Sequence, residues 1–329
     1  MIHKYHISIS LLPTSSYVPR VADDRVGHFM TMYQDYSDTY KESPYVRFIN
    51  RWNLQKLNQS MNKDTNICIS IASIPGDFGA YFHNEAYKAL GLNWAYIPRK
   101  VSDISELKSV ITSVRSLDIT GCSVSMPLKE RVIDHIDDLD LSAKKTGAVN
   151  TILNRDGFLT GFNTDLYGAK KSLSNFNLAN KEVLVIGAGG VSKAIANAVL
   201  ELDGIITIVN RTNKTSEDLS KKLNVKFLTW DKLNSLEGYM LINTTSVGMC
   251  DENQMIVSEK TIDRFEVIMD VVVDPRLSKL IRISSAKGKY IIRGIEMCVY
   301  QAAEQFKIYT GKDAPQELID SILDDAHHG

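Results

Sequence analysis

Glu182-Val183-Leu184-Val185-Ile186-Gly187-Ala188-Gly189-Gly190-Val191-Ser192 is the stretch that decides the fold. Val183 to Ile186 is a continuous apolar run, as expected of a strand covered on both faces. Val191–Leu202 follows with helical spacing and ends before Gly204, and Ile205–Asn210 reads as the next strand. Strand, glycine-rich turn, helix and strand in this order form a dinucleotide-binding unit. The first glycine permits the tight turn, and the second lets the backbone approach a pyrophosphate lying on the helix amino terminus. Gly187, Ala188, Gly189, Gly190 and Val191 are the residues assigned to it. Ser192 stands where a third glycine is usual and is small enough for close helix–strand packing.

Working outward, strand–helix alternation starts at Asn66. Ile67–Ile71 reads as a strand, Phe82–Leu90 as a helix closed by Gly91, and Asn93–Ile97 as a strand ended by Pro98. Ile104–Arg115 is a predicted helix, Gly121–Ser125 a strand and Lys129–Asp138 a helix opened after Pro127. Gly161-Phe162-Asn163-Thr164 reads as a polar turn. Beyond Asn210, strands are expected at Met240–Asn243 and Val267–Val273, then helices at Ile295–Tyr309, closed by Gly311, and at Pro315–Asp324. Such alternation implies an α/β fold, with mostly parallel sheets and helices on their faces.

At 329 residues the chain has room for about two domains. The formal net charge of −1 gives no bulk electrostatic case for nucleic acid or an anionic membrane. No apolar run approaches the roughly 18 residues of a membrane span, and residues 1–20 lack a signal-peptide core, so a cytoplasmic protein is expected. Cys68, Cys122, Cys250 and Cys298 are scattered without a CxxC pair and read as reduced thiols. No metal site is expected. Residues 1–65 are tyrosine-rich and read as an accessory segment. They faintly resemble a stretch of some large bacterial zinc metalloproteases, but no HExxH is present.

Two further stretches carry chemistry. The strand beginning at Ile205 ends in Asn210-Arg211-Thr212-Asn213-Lys214, where NAD-binding chains usually place an acid. A guanidinium, an ammonium and a hydroxyl suit a 2′-phosphate instead, which points to NADP. Upstream, Ser125-Met126-Pro127-Leu128-Lys129-Glu130 and Asn163-Thr164-Asp165 place a lysine and an aspartate at strand-to-helix turns, where α/β sheets present ligand-facing groups. Alcohol–ketone interconversion with a nicotinamide leaves the protein to manage the proton. A lysine can move that proton or polarise the carbonyl, and an aspartate can hold the lysine in place.

From about residue 66 to 325 the chain resembles the shikimate dehydrogenases, closest to the divergent shikimate dehydrogenase-like group. SVSMPLKE (123–130), GAVNTI (147–152), GFNTD (161–165), VIGAGG (185–190), NRT (210–212), NTTSVGM (243–249) and YQAAEQF (300–306) occur in the family's order. The resemblance implies a substrate domain at 66–167 plus 294–329, with carboxy-terminal helices returning to it, and a Rossmann NADP domain at 168–293. It implies reversible NADPH-dependent reduction of 3-dehydroshikimate, a step toward chorismate and the aromatic amino acids. Lys129 and Asp165 would be the catalytic pair, and Ser125, Asn150 and Gln301 would bind substrate hydroxyls. Asn210, Arg211, Thr212 and Lys214 would hold the adenosine phosphate end of the cofactor. Thr245, Ser246, Val271, Gly294 and Met297 would lie near its nicotinamide half. A monomer or homodimer acting on a small molecule is expected.

The resemblance breaks at the family's Ser-x-Ser-Pro motif, whose hydroxyls bind the substrate carboxylate. Asp77 and Gly79 occupy the serine positions, and Val273 stands for a tyrosine. An aspartate facing a carboxylate would be repulsive by about 1–4 kcal/mol at intermediate dielectric. Quinate, an aminated shikimate or another cyclic polyhydroxy acid is therefore the alternative substrate class. A low-turnover NADP-binding regulatory protein is the alternative from outside enzymology.

Overall fold

The computed structural model describes residues 61–249, 251, 253–273 and 277–327. The tyrosine-rich segment, apart from its last residues, and Cys250 lie outside them. Two six-stranded sheets organise the rest.

The first sheet is built in chain order from β1 (Asn66–Ala72), α1 (Phe78–Ala89), β2 (Trp94–Lys100), α2 (Leu107–Ser116), β3 (Gly121–Val124), β4 (Asp138–Leu139), α3 (Leu141–Thr146), β5 (Thr151–Arg155), β6 (Phe158–Phe162) and α4 (Thr164–Leu173). Its order is β2-β1-β3-β5-β6-β4. β1, β2 and β3 run parallel, and β5 and β6 enter as an antiparallel hairpin. Asp156 and Gly157, with φ of 51° and 83°, make its two-residue turn.

The second sheet comprises β7 (Glu182–Ile186), α5 (Gly190–Glu201), β8 (Ile205–Val209), α6 (Asn213–Leu223), β9 (Lys226–Leu228), β10 (Met240–Asn243), α7 (Glu259–Ile262), β11 (Val267–Asp270), α8 (Lys279–Ala286) and β12 (Tyr290–Arg293). Its order β12-β11-β10-β7-β8-β9 is wholly parallel. Val183, Leu184, Val185 and Ile186 are all buried, because helices cover both faces.

The chain then returns through α9 (Gly294–Thr310) and α10 (Gln316–His327). Val299, Ala302, Phe306 and Tyr309 of α9 pack with Phe82, Tyr87 and Tyr96 against the first sheet. Gly168 of α4 lets α9 approach closely, since a Cβ there would lie 2.6 Å from the Met297 carbonyl oxygen.

Three sequence expectations need correction. The strand expected to stop at Pro98 runs on to Lys100, with Ser70 paired to Pro98. β2 is an edge strand, so the missing proline N–H leaves no central ladder broken. The helix expected over Lys129–Asp138 is only a short 3₁₀ turn at Arg131–His135. Sheet pairing takes the rest: Asp137 N donates to Leu159 O at 3.0 Å, and Asp138–Leu139 pairs with Thr160–Gly161. The turn expected at Gly161–Thr164 is instead the end of β6 followed directly by the cap of α4, whose Asn163 side chain accepts from Leu166 N.

Candidate active site

β3 ends at Val124, and buried Leu128 pins the turn that follows. Lys129 is the next residue. Its Nζ donates to Asp165 Oδ2 at 2.6 Å, and both side chains are largely shielded. Asp165 lies in the first turn of α4, where the unpaired N–H groups of a helix favour a carboxylate.

Asn150, 2% exposed, fixes this pair. Its Nδ2 donates to Asp165 Oδ1 and to Thr164 Oγ1, each at 3.0 Å, and reaches Gln301 Oε1 at 3.4 Å. Its Oδ1 accepts from Thr164 N and from Thr151 Oγ1, both at 2.8 Å. Gln305, one turn beyond Gln301 on α9, donates to Thr151 Oγ1 at 2.9 Å and to Asn150 O at 3.2 Å. Ser123 donates back to Gln305 Oε1 at 3.1 Å. Each buried polar group thus finds a partner, which is what makes such a network rigid. The sequence reading missed Thr151, Thr164, Gln305 and Ser123. The first two stand inside motifs already quoted, and Gln305 shares a helix face with Gln301, so spacing could have found these three. Ser123 too opens a quoted motif, SVSMPLKE.

A cavity of about 290 Å³ opens over the pair. Of the residues singled out in the sequence, Gly79, Ser125, Lys129, Asn150, Asp165, Val191, Val271, Gly294, Met297 and Gln301 line it. Ser70, Tyr96, Val273 and Cys298 line it as well. Asp77 does not; it is exposed at the start of α1, so its carboxylate is not presented to the cavity as the sequence suggested. Desolvation pushes the Cys298 thiol up to about 12, with the Asp165 charge adding to the effect, so it is a wall residue rather than a nucleophile. Cys68 and Cys122 are free and buried.

A second cavity, of about 190 Å³, adjoins the first, with Lys129 and Val191 common to both. Met126, Pro127, Glu130, Arg131 and Gly190 complete it. Lys129 therefore stands beside the glycine turn; a Cβ on Gly190 would lie 4.0 Å from Lys129 Cδ. In that turn Gly187 has φ +122°, and a Cβ would meet Thr244 Oγ1 at 2.3 Å, so only glycine fits. Gly189 N donates to Ser192 Oγ at 3.0 Å, and Ala188 and Gly189 keep the entry to α5 free of bulk. A turn of this shape could hold a pyrophosphate at the start of α5.

Arg211, Thr212 and Lys214 are exposed around the start of α6, and Asn210 closes their loop by donating to Thr212 O and Thr215 Oγ1. Among the described residues neither Arg211 nor Lys214 has an acidic partner, which leaves both free for an anion. Thr245 is turned into its own loop, where N and Oγ1 both donate to Asn243 Oδ1; Ser246 is exposed. That loop and the Val271 segment share an anchor in buried Asp270, which accepts from Asn243 Nδ2 at 2.9 Å, Val272 N at 3.1 Å and Ser278 Oγ at 2.5 Å. Burial pushes the Asp270 carboxyl up to about 6 despite these donors. Among the described residues no cluster of three or more His, Cys, Asp or Glu could hold a metal, and no helix is long and apolar enough to cross a membrane.

Comparison with known families gives three successive matches over this region. Residues 79–152 match the shikimate dehydrogenase substrate binding domain, residues 168–275 the shikimate/quinate 5-dehydrogenase domain and residues 294–321 the shikimate 5′-dehydrogenase C-terminal domain. Residues 2–57 match a domain of unknown function, DUF5117. A shikimate dehydrogenase-like protein of Haemophilus influenzae is 36% identical over 265 residues, spanning 79% of this chain and 96% of the relative. The NADP(+) shikimate dehydrogenase of Pyrococcus furiosus is 37% identical over 243 residues, spanning 72% and 87%. A solved shikimate dehydrogenase in complex with NADP+ superposes with a TM-score of 0.72 at 31% identity, covering 81% of this chain and 97% of that one.

Proposed function

Because the chain belongs to the shikimate dehydrogenase family, we propose that it is a cytoplasmic NADP-dependent dehydrogenase interconverting shikimate and 3-dehydroshikimate. The observation that carries this reading is the Lys129–Asp165 pair, closed at 2.6 Å in the wall of a cavity that meets the glycine turn. Residues 66–167 and 294–329 serve as the substrate half, residues 168–293 as the dinucleotide half, and residues 1–65 as an accessory segment.

The residues fit the cofactor: Gly187 to Val191 would hold its pyrophosphate, and Arg211, Thr212 and Lys214 its 2′-phosphate. When bound, the nicotinamide accepts or supplies the hydride. Lys129 manages the proton. In oxidation its amine takes the hydroxyl proton as the ketone forms; in reduction its ammonium donates to the carbonyl oxygen and yields the proton to it. Asp165 accepts from Lys129 Nζ and so keeps the amine aimed at the reacting oxygen. Asn150 holds Asp165 Oδ1, leaving Oδ2 to the lysine. Ser125 and Gln301 supply hydrogen bonds to the remaining ring hydroxyls.

A second reading keeps this chemistry but takes quinate or another cyclic polyhydroxy acid. It is supported by Gly79 and Val273, which stand in the cavity wall where the family has a serine and a tyrosine. Initial rates of NADP reduction with shikimate and with quinate over a concentration series decide between them. A higher kcat/KM with shikimate is expected; a clear preference for quinate would replace the first reading by the second, and no turnover with either would refute both.

A further inference from the structure

The cavity wall formed by α1 and β2 contains a neutral donor held in place from two sides. Tyr96 lines the cavity together with Gly76, Gly79, Ser70 and Ser123. Position 79 bears no side chain, and a Cβ there would stand 3.1 Å from the Tyr96 hydroxyl oxygen. Tyr96 is buried, with Ser70 and Ser123 beside its hydroxyl, and the glycine keeps any side chain of position 79 from closing in on that oxygen. Asn84 clamps the Tyr96 backbone: its Nδ2 donates to Tyr96 O, and Tyr96 N donates to its Oδ1, both at 2.9 Å. The His83 ring stacks on the phenol with centroids 4.5 Å apart and planes within 9°. A donor fixed in this way loses little freedom when a ligand arrives.

The charges around it are also arranged for a neutral donor. Lys129 is the one cation among the described residues lining this cavity, and Asp165 already engages it. Burial pushes His83 down to about 3, so the stacked ring carries no charge. Burial pushes the Tyr96 phenol well above its ordinary range, against the opposing effect of the Ser123 and Ser70 hydroxyls, so it keeps its proton and can donate. Apart from Lys129, the neutral polar side chains lining this cavity are the hydroxyls of Ser70, Tyr96, Ser123 and Ser125 and the carboxamides of Asn150, Gln301 and Gln305.

We propose that the Tyr96 hydroxyl, in the cavity wall beside Gly79, binds the carboxylate of the substrate and so sets the preference for a cyclic hydroxy acid. This rests on the shikimate reading above and deepens it. Gly79 is then the residue that admits the carboxylate to the phenol, and exposed Asp77 stands clear of it.

Tyr96→Phe keeps the ring stack and the backbone clamp and removes only the oxygen. It is expected to raise the KM for shikimate about 10-fold or more, as loss of a charge-assisted hydrogen bond does, with kcat within about twofold and the KM for NADP unchanged. Gly79→Ala, which covers the hydroxyl without disturbing a helical position, is expected to raise the same KM. Gly79→Ser in the Tyr96→Phe background places a hydroxyl in the same space and should recover part of the loss. An unchanged shikimate KM in Tyr96→Phe overturns the assignment. Calorimetric titration of the NADP-loaded protein with shikimate separates this outcome from failure of the proposed reaction. Wild-type protein that binds shikimate without turning it over refutes the reaction alone, and weaker binding by Tyr96→Phe then still upholds the tyrosine. Wild-type protein that neither binds nor turns over shikimate overturns both.

Discussion

The turn after β7 and the turn after β3 present themselves to ligands by different means. The first offers main chain: Gly187, Ala188 and Gly189 bring backbone close to the start of α5, and the constraint is the absence of a side chain at Gly187. The second offers side chains: Lys129 is positioned by Asp165 from α4, Asp165 by Asn150 from the segment before β5, and Asn150 by Gln305 from α9. A main-chain site is complete within about a dozen residues of sequence. A side-chain site draws on four elements and depends on each of them.

The contrast is sharpest if the two sites fail separately. Lys129→Ala should lower kcat by about 10²- to 10⁴-fold, the usual weight of a positioned proton donor, while the dissociation constant for NADP stays within about threefold. Steady-state turnover and fluorescence titration of the cofactor measure the two. Retention of wild-type turnover would remove Lys129 from the mechanism.

Arg211→Ala tests the other site in the same terms. Loss of a charge-assisted contact to a 2′-phosphate should weaken NADPH by about 10- to 100-fold and leave NADH, which lacks that phosphate, almost unaffected. Equal losses for both cofactors would mean that Arg211 acts on the loop rather than on the phosphate.

How far each region could be read from sequence follows from the same difference. The strand, glycine turn and helix around Gly187 are dictated by local rules, and Gly204 and Gly311 mark helix ends in the sequence itself. The Asp156-Gly157 hairpin obeyed an equally local rule and was overlooked. In the first sheet local reading failed where tertiary pairing prevails. Pro98 sits within a strand because that strand is at an edge, and the segment after Lys129 is drawn into the sheet beside β6. Lys129 and Asp165 stand 36 positions apart, so their pairing was legible from the motifs the chain shares with the family and not from local spacing. Tyr96 gave no signal at all; its importance depends on the space left by Gly79 and on two side chains of α1.

Asn150→Ala should disturb the side-chain site through several partners at once. It leaves Asp165 Oδ1, Thr164 N and Thr151 Oγ1 each short of a buried partner. A loss of about 1–3 kcal/mol in unfolding free energy is expected, together with a fall in kcat, because Asp165 is no longer held. Urea denaturation followed by far-ultraviolet circular dichroism reads the first. Wild-type stability in this variant would show that the network is decorative.

The smallest effect, and the finest division between the two regions, lies in pH. His83, packed against the first sheet on the side of the turn after β3, is held down to about 3 by burial, whereas the unfolded chain protonates it below about 6.5. The unfolded state then binds the extra proton, so this residue makes stability fall as pH drops through that window. Asp270, in the second sheet with the turn after β7, is pushed up to about 6 from an ordinary 3.8. Here the folded state binds the extra proton, so this residue makes stability fall as pH rises from about 4 to 6. The two slopes have opposite signs and each amounts to about 1.4 kcal/mol per pH unit, so they largely cancel in the wild-type chain. His83→Phe should therefore gain stability relative to wild type as pH falls from 6 to 4, and Asp270→Asn should lose it. Urea midpoints at half-unit intervals across that range test the pair, and parallel curves for all three proteins would show that neither group carries the proton linkage its burial implies.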